Sequence, residues 1–151
     1  MAQSFSQIYI HLIFHIKTTS VMIQESEQSR LHAYMTEIIK SKGDNALAIG
    51  GTQNHVHILF TLAREQNIAD LVKLIKTHTT RWLKNLGQPY HAFAWQAGYA
   101  AFSVSRSMVD KTMNYITKQK EHHRNFSFDE EYRKFLDLYG IDYDDKFLLC
   151  D

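Results

Sequence analysis

The stretch Asn54-His55-Val56-His57-Ile58-Leu59-Phe60 limits what this chain can fold into more than any other part of it. Side chains alternate across a β-strand, so His55 and His57 share one face while Val56, Ile58 and Phe60 share the other. The apolar face needs a core to cover it. On the opposite face the two histidine Cα atoms lie roughly 6–7 Å apart, close enough for both imidazoles to bind one divalent cation.

A second alternating segment precedes it. Ile8, Ile10, Leu12, Phe14 and Ile16 form one face, with Tyr9, His11, His15 and Lys17 on the other. Residues 24–42 read as a helix with Leu31, Met35, Ile38 and Ile39 inward and Gly43 as its stop. Residues 46–49 and 53–62 then read as a hairpin turning at Gly50-Gly51. Asn67 can cap a second helix that buries Ile68, Leu71, Val72, Ile75, Trp82 and Leu86 and stops at Gly87. Residues 93–104 are strand-like, and a third helix opens at Ser107 and runs to about Arg124. A short helix over 129–139, stopped by Gly140, ends the pattern. This β-α-β-β-α-β-α order predicts one α+β domain over residues 1–151. It is a ferredoxin-like (RRM-like) antiparallel sheet with helices on one face and a C-terminal catalytic helix. The other face is left open, lined by His11 and His15.

At 151 residues with 44% hydrophobic content the chain can bury a core without staples. Cys150 is the single cysteine, so no internal disulfide or thiolate zinc site is possible, and a reducing cytoplasm is expected. The apolar N-terminal stretch is interrupted by His11 and His15 and has no basic lead, which argues against a signal peptide or membrane span. Net charge is only +1, but it is unevenly placed. Between Leu71 and Val109 there is no acid, against Lys73, Lys76, Arg81, Lys84 and Arg106. From Asp129 on, eight acids face three bases, a net of −5. The expectation is a basic surface for a polyanion and an acidic tail, Glu131 included, kept away from it.

Tyr115 and Gln119 stand four apart on the third helix and so share a face, with Lys111, Lys118 and His122 nearby. Two strand histidines, a glutamine and a tyrosine can make one metal-assisted phosphoryl-transfer site. Imidazole and amide ligands are neutral and leave the cation its full charge for a scissile phosphate. Tyr115 becomes a useful nucleophile only once deprotonated. Each residue also has an ordinary reading. His122 and His123 fit a solvated helix end, and Trp95 and Tyr99 fit either base stacking or the core.

The segments Asn54-His55-Val56-His57-Ile58-Leu59-Phe60, Trp95-Gln96-Ala97-Gly98-Tyr99, Phe102-Ser103-Val104-Ser105, Tyr115-Ile116-Thr117-Lys118-Gln119 and His122-His123 resemble the single-tyrosine HUH transposases. These are small bacterial insertion-sequence enzymes acting on single-stranded DNA, with their repeat-associated relatives. The resemblance spans roughly residues 5–145. It implies His55, His57 and Gln119 as metal ligands, Tyr115 as nucleophile, and Mg²⁺ or Mn²⁺ as cofactor. It further implies a 5′-phosphotyrosyl intermediate, hairpin DNA as partner, and a homodimer whose active site is assembled in trans. Lys73, Lys76, Arg81, Lys111 and Lys118 are the expected DNA contacts, and a bacterial cytoplasmic, nucleoid-associated location goes with them. The rival is a domesticated hairpin- or repeat-binding protein without strand transfer. A nuclease using water in place of tyrosine is a third reading.

Overall fold

The computed structural model describes residues 2–146, 148 and 149; Cys150 and Asp151, used above, lie outside them. Four strands, β1 (Tyr9–His15), β2 (Asn45–Gly51), β3 (His55–Thr61) and β4 (Ala100–Val104), form one sheet in the order β2-β3-β1-β4. Every neighbouring pair is antiparallel. With α1 (Glu25–Ser41) between β1 and β2, and α2 (Ile68–Asn85) between β3 and β4, this is the expected ferredoxin-like sheet.

Both helices form for the reasons their sequences suggest. The α1 stripe of Leu31, Met35, Ile38 and Ile39 and the α2 stripe of Leu71, Val72, Ile75 and Leu83 recur at helical spacing and are buried. The Asn67 side chain accepts a hydrogen bond from the Asp70 amide at 2.8 Å, and Gly87 stops α2 at φ 125°. These stripes pack on Ile10, Leu12, Phe14, Val56, Ile58 and Phe60, the alternate residues of β1 and β3.

Four expectations are corrected. First, the sheet is not open on its other face. There α3 (Val109–Thr117), the one-turn α4 (Gln119–His122) and α5 (Phe128–Leu138) cover it, and His11 and His15 are buried. Phe128 stacks on His55 at 4.3 Å between ring centres, and Phe135 meets His11 edge-on at 5.1 Å. Second, Gly50 and Gly51 end β2 instead of turning the hairpin, and neither has positive φ. A Cβ at Gly50 would sit 1.9 Å from the Ile116 carbonyl oxygen, so this glycine lets the α3 backbone lie against β2. Third, the strand expected over 93–104 is strand only from Ala100. Before it, Lys76 donates to the carbonyls of Gln96 and Gly98, and Gly98 is held by the Gln96 side chain, which loops the chain out of register. Fourth, the third helix breaks at Lys118 (φ −104°, ψ 25°), and Ser107 does not cap it.

No helix among the described residues is long and apolar enough to cross a membrane.

Candidate active site

His55 and His57 point from β3 toward the α3–α5 layer and are both buried. Each is oriented by what holds its other ring nitrogen. His55 Nδ1 lies 2.8 Å from Asn54 Oδ1 and 3.0 Å from Thr52 Oγ1. Asn54 Oδ1 can only accept, so Nδ1 carries the proton and Nε2 presents a lone pair. His57 Nδ1 lies 2.8 Å from His11 Nε2, a diagonal neighbour on β1. Burial lowers the pKa of both His11 and His55 to about 3, and lowers that of His57, so these three rings stay neutral at physiological pH.

Gln119 closes the cluster from above, its Oε1 2.9 Å from His55 Nε2. Two lone pairs therefore face each other across a buried gap, an arrangement that a cation would satisfy. The break at Lys118 does not separate Gln119 from Tyr115; both reach the same group. That group is Glu131, on α5. Its Oε1 is 2.8 Å from His57 Nε2, 3.5 Å from His55 Nε2 and 3.2 Å from His123 Nε2. Its Oε2 accepts from Gln119 Nε2 at 3.2 Å and takes a short hydrogen bond from the Tyr115 hydroxyl.

Burial alone would raise the Glu131 pKa, but the donors His123, His57 and Tyr115 hold it well below the usual carboxylate range. Burial, reinforced by the Glu131 charge, pushes the Tyr115 phenol above its ordinary value. The proton in this pair thus rests on tyrosine. His123 is raised: burial works against its charged form, but the bond and charge of Glu131 prevail.

His55, His57 and Glu131 offer ligand atoms within 4.8 Å of one another and could hold a metal ion. The donor set is imidazole nitrogen, amide oxygen and carboxylate oxygen, which suits a borderline or hard divalent cation. It is not the all-neutral set expected from sequence, because Glu131 adds a charge.

The structure thus brings together His55, His57, Tyr115 and Gln119 as the sequence suggested, and adds two residues that sequence reasoning assigned elsewhere. Glu131 belongs to the supposedly remote acidic tail, and His123 to a supposedly solvated helix end. One signal for Glu131 was available. Of the three consecutive acids Asp129, Glu130 and Glu131, Glu131 is the one that falls on the buried stripe of α5 with Phe128 and Tyr132, where an acid is rare unless paired. Trp95 is core, its Nε1 donating to Thr79 Oγ1 at 3.0 Å, whereas Tyr99 is partly exposed.

The five expected DNA contacts fall in two places. Lys111 and Lys118 are exposed beside the site, on α3 and at its break. Lys73, Lys76 and Arg81 ride on α2, across the sheet, and Lys76 is engaged with the loop carbonyls. Tyr115 also stands within its own chain's site rather than reaching out from it. Within the chain, Ile116 packs against Gly50 and the Tyr115 hydroxyl donates to Glu131.

A ferredoxin-like sheet carrying paired strand histidines beneath a helix-borne tyrosine and glutamine defines a class of protein, and the comparisons agree with it. The family model for IS200-like transposases matches residues 4–119, and the chain belongs to that family. Among solved structures, the fold is similar to a provisionally assigned transposase of Deinococcus radiodurans R1. That match has TM-score 0.60 and 22% identity, and covers 77% of this chain and 95% of that one. It is also similar to a REP-associated tyrosine transposase bound to a REP hairpin, with TM-score 0.54 and 11% identity, covering 77% of this chain and 68% of that one. No curated protein matches the chain.

Proposed function

We propose that this protein is a metal-dependent, single-tyrosine DNA strand transferase. It would cut and rejoin single-stranded DNA at hairpin-bearing element ends, on bacterial DNA in the cytoplasm. One observation carries the reading: the Tyr115 hydroxyl and the His55–His57–Gln119 cluster converge on a single buried carboxylate, Glu131. A tyrosine serving only as packing has no need of a carboxylate shared with a cation-binding cluster. Family membership and the hairpin-bound relative support the same reading.

The divalent cation, Mg²⁺ or Mn²⁺, would be held by His55, His57 and Gln119 with Glu131 beside them, and when bound would polarise the scissile phosphate. The chain's own residues do the rest. The Tyr115 hydroxyl oxygen attacks phosphorus, forming a 5′-phosphotyrosyl bond while the bond to the 3′ oxygen breaks. The phenolic proton, held toward Glu131 Oε2 in the resting site, is released to solvent as the new bond forms, and the departing oxygen takes up a proton as a 3′-OH. Rejoining reverses each step and conserves the phosphodiester bond, so no ATP is consumed. His11 and Asn54 keep the two histidines in register, and His123 holds the second side of the carboxylate. Lys111 and Lys118 would meet the phosphates next to the cut, and Lys73 and Arg81 those of the hairpin; Lys76, whose ammonium bonds the Gln96 and Gly98 carbonyls, is not among the contacts.

The test is a denaturing gel of protein mixed with labelled single-stranded element ends and Mn²⁺. Wild type should form a covalent adduct. Tyr115→Phe should abolish it yet leave hairpin binding within a few-fold, since affinity rests mainly on phosphate contacts. No adduct with wild type would favour the hairpin-binding rival, and cleavage without adduct the water-using nuclease.

Assembly has its own test. The trans-assembled homodimer requires α3 to leave β2, whereas a cis site needs no partner. Co-expressed His57→Ala and Tyr115→Phe subunits would remain inactive if each chain used its own helix, because every cis site would carry one lesion. Recovery of about a quarter of wild-type activity, the share expected from random pairing, would establish trans assembly instead.

A further inference from the structure

A nucleophile is useful only while its oxygen is held in place. The Tyr115 hydroxyl donates to Glu131 Oε2 in the resting site, but that bond ends when the phenolic proton leaves. From then on the ring itself must fix the oxygen. Two of its aromatic neighbours meet it edge-on, Phe135 at 5.6 Å between ring centres and His57 at 5.9 Å. Among the described residues, only the His122 ring lies flat against it, at 4.5 Å with 24° between the planes.

Sequence spacing does not supply this contact. Tyr115 and His122 are seven residues apart, which in a straight α-helix sets them about 10.5 Å apart along the axis, too far for two rings to stack. The break at Lys118 (φ −104°, ψ 25°) changes this. The helix stops there and α4 restarts it, the amides of Glu121 and His122 both donating to the Lys118 carbonyl at 3.1 Å, and the His122 ring comes to lie over Tyr115. His122 also meets the Phe126 ring at 6.1 Å, so it is braced from beyond α4. Its neighbour His123 serves through hydrogen bonds to Gln119 and Glu131, whereas His122 serves through its ring.

We propose that His122 is a positioning residue: brought over Tyr115 by the break at Lys118, it holds the nucleophile's ring in attacking position once the hydrogen bond to Glu131 is released. The inference rests on the strand-transferase reading and deepens it by naming what steers the tyrosine. A misplacement of about 1 Å at a reacting atom can cost about a hundred-fold in rate, so a ring left loose is a slow nucleophile. The role needs a flat face and no proton, so another aromatic side chain of similar reach can fill it. Both rings ride on the α3–α4 segment, and the pair therefore stays together whether the site is built in cis or in trans.

The test follows adduct formation in a single turnover, with element ends at saturating concentration and Mn²⁺. His122→Ala should slow it about ten-fold or more while leaving DNA affinity within about two-fold of wild type. His122→Phe should return the rate to within about three-fold, and His122→Leu, which fills the space without a flat face, should not. A second readout needs no DNA. In proton NMR of protein carrying isotope-labelled tyrosine, the Tyr115 ring signals are assigned by their absence in Tyr115→Phe. They should move downfield in His122→Ala as the ring current above them is lost, and stay upfield in His122→Phe. A wild-type rate in His122→Ala, a Phe variant no faster than the Ala variant, a loss of affinity that matches the loss of rate, or ring signals that do not move would overturn the role of His122. Adducts formed by wild type would show in that event that the strand-transferase reading stands without it. No adduct from wild type would overturn that reading, and the inference with it.

Discussion

The two faces of the sheet are built from the same strands and do opposite work. On one, Leu12, Phe14, Val56, Ile58 and Phe60 meet the helical stripes of α1 and α2 in a continuous apolar core. On the other, His11, His15, His55 and His57 are as deeply buried, but beneath α3, α4 and α5 and among polar partners. Apolar side chains bury at a gain and tolerate many neighbours. Buried imidazoles and a buried carboxylate hold only where every partner is in place. The first face therefore sets stability, and the second spends some of it on a defined site.

The largest expected effect breaks the first face. Phe60 is fully buried in the α1–α2 core, so Phe60→Ala should cost about 3–5 kcal/mol. That would be read as a drop in the denaturant midpoint, with hairpin binding lost only as the protein unfolds. If Phe60→Ala left the midpoint unchanged while abolishing the adduct, the division between the faces would be wrong.

A smaller change should break the second face alone. Glu131→Gln keeps the shape but removes the charge from the cluster and turns one of its two accepting oxygens into an NH₂ donor. Calorimetry with Mn²⁺ and the DNA-free protein should show affinity lowered about ten-fold or more, with a fall in the unfolding midpoint smaller than that of Phe60→Ala. Equal Mn²⁺ affinity in the two proteins would remove Glu131 from the cation site and leave its carboxylate to Tyr115 alone.

The contrast between the faces also explains what could be read from the chain. The apolar face is written as period: alternation in β1 and β3 and helical stripes in α1 and α2 predict the elements, their stops at Gly43 and Gly87, and the ferredoxin-like order. His55 and His57 were legible because strand alternation fixes their side, and Tyr115 and Gln119 because a four-residue step survives the kink at Lys118. What fell outside that reading depends on contacts distant in sequence. Gly50 looks like a turn residue until Ile116 of α3 lies against it. Glu131 looks like one acid among eight until α5 folds back across the sheet, 74 residues from its partner His57. Local pattern cannot report a pairing of that range, and it is these pairings that turn the histidine face from an open surface into an enclosed site.

The smallest expected effects bear on which face meets DNA. Lys111 and Lys118 stand on the histidine side, and Lys73 and Arg81 on α2, behind the apolar core. A lysine that contacts a backbone phosphate contributes about one released counterion to the salt dependence of binding. Lys111→Gln and Lys118→Gln should each lower the slope of log affinity against log salt by about one with single-stranded substrate. Lys73→Gln and Arg81→Gln should do so only when a hairpin is attached. Lys76 is left out of the comparison because its ammonium bonds the carbonyls of Gln96 and Gly98, so replacing it would disturb the loop before β4 as well as the charge. A slope that falls for the α2 pair with unstructured strand alone would mean that the strand wraps the apolar side too, and the faces would not divide the labour as the structure suggests. No change for any of the four would return all of them to ordinary surface charge.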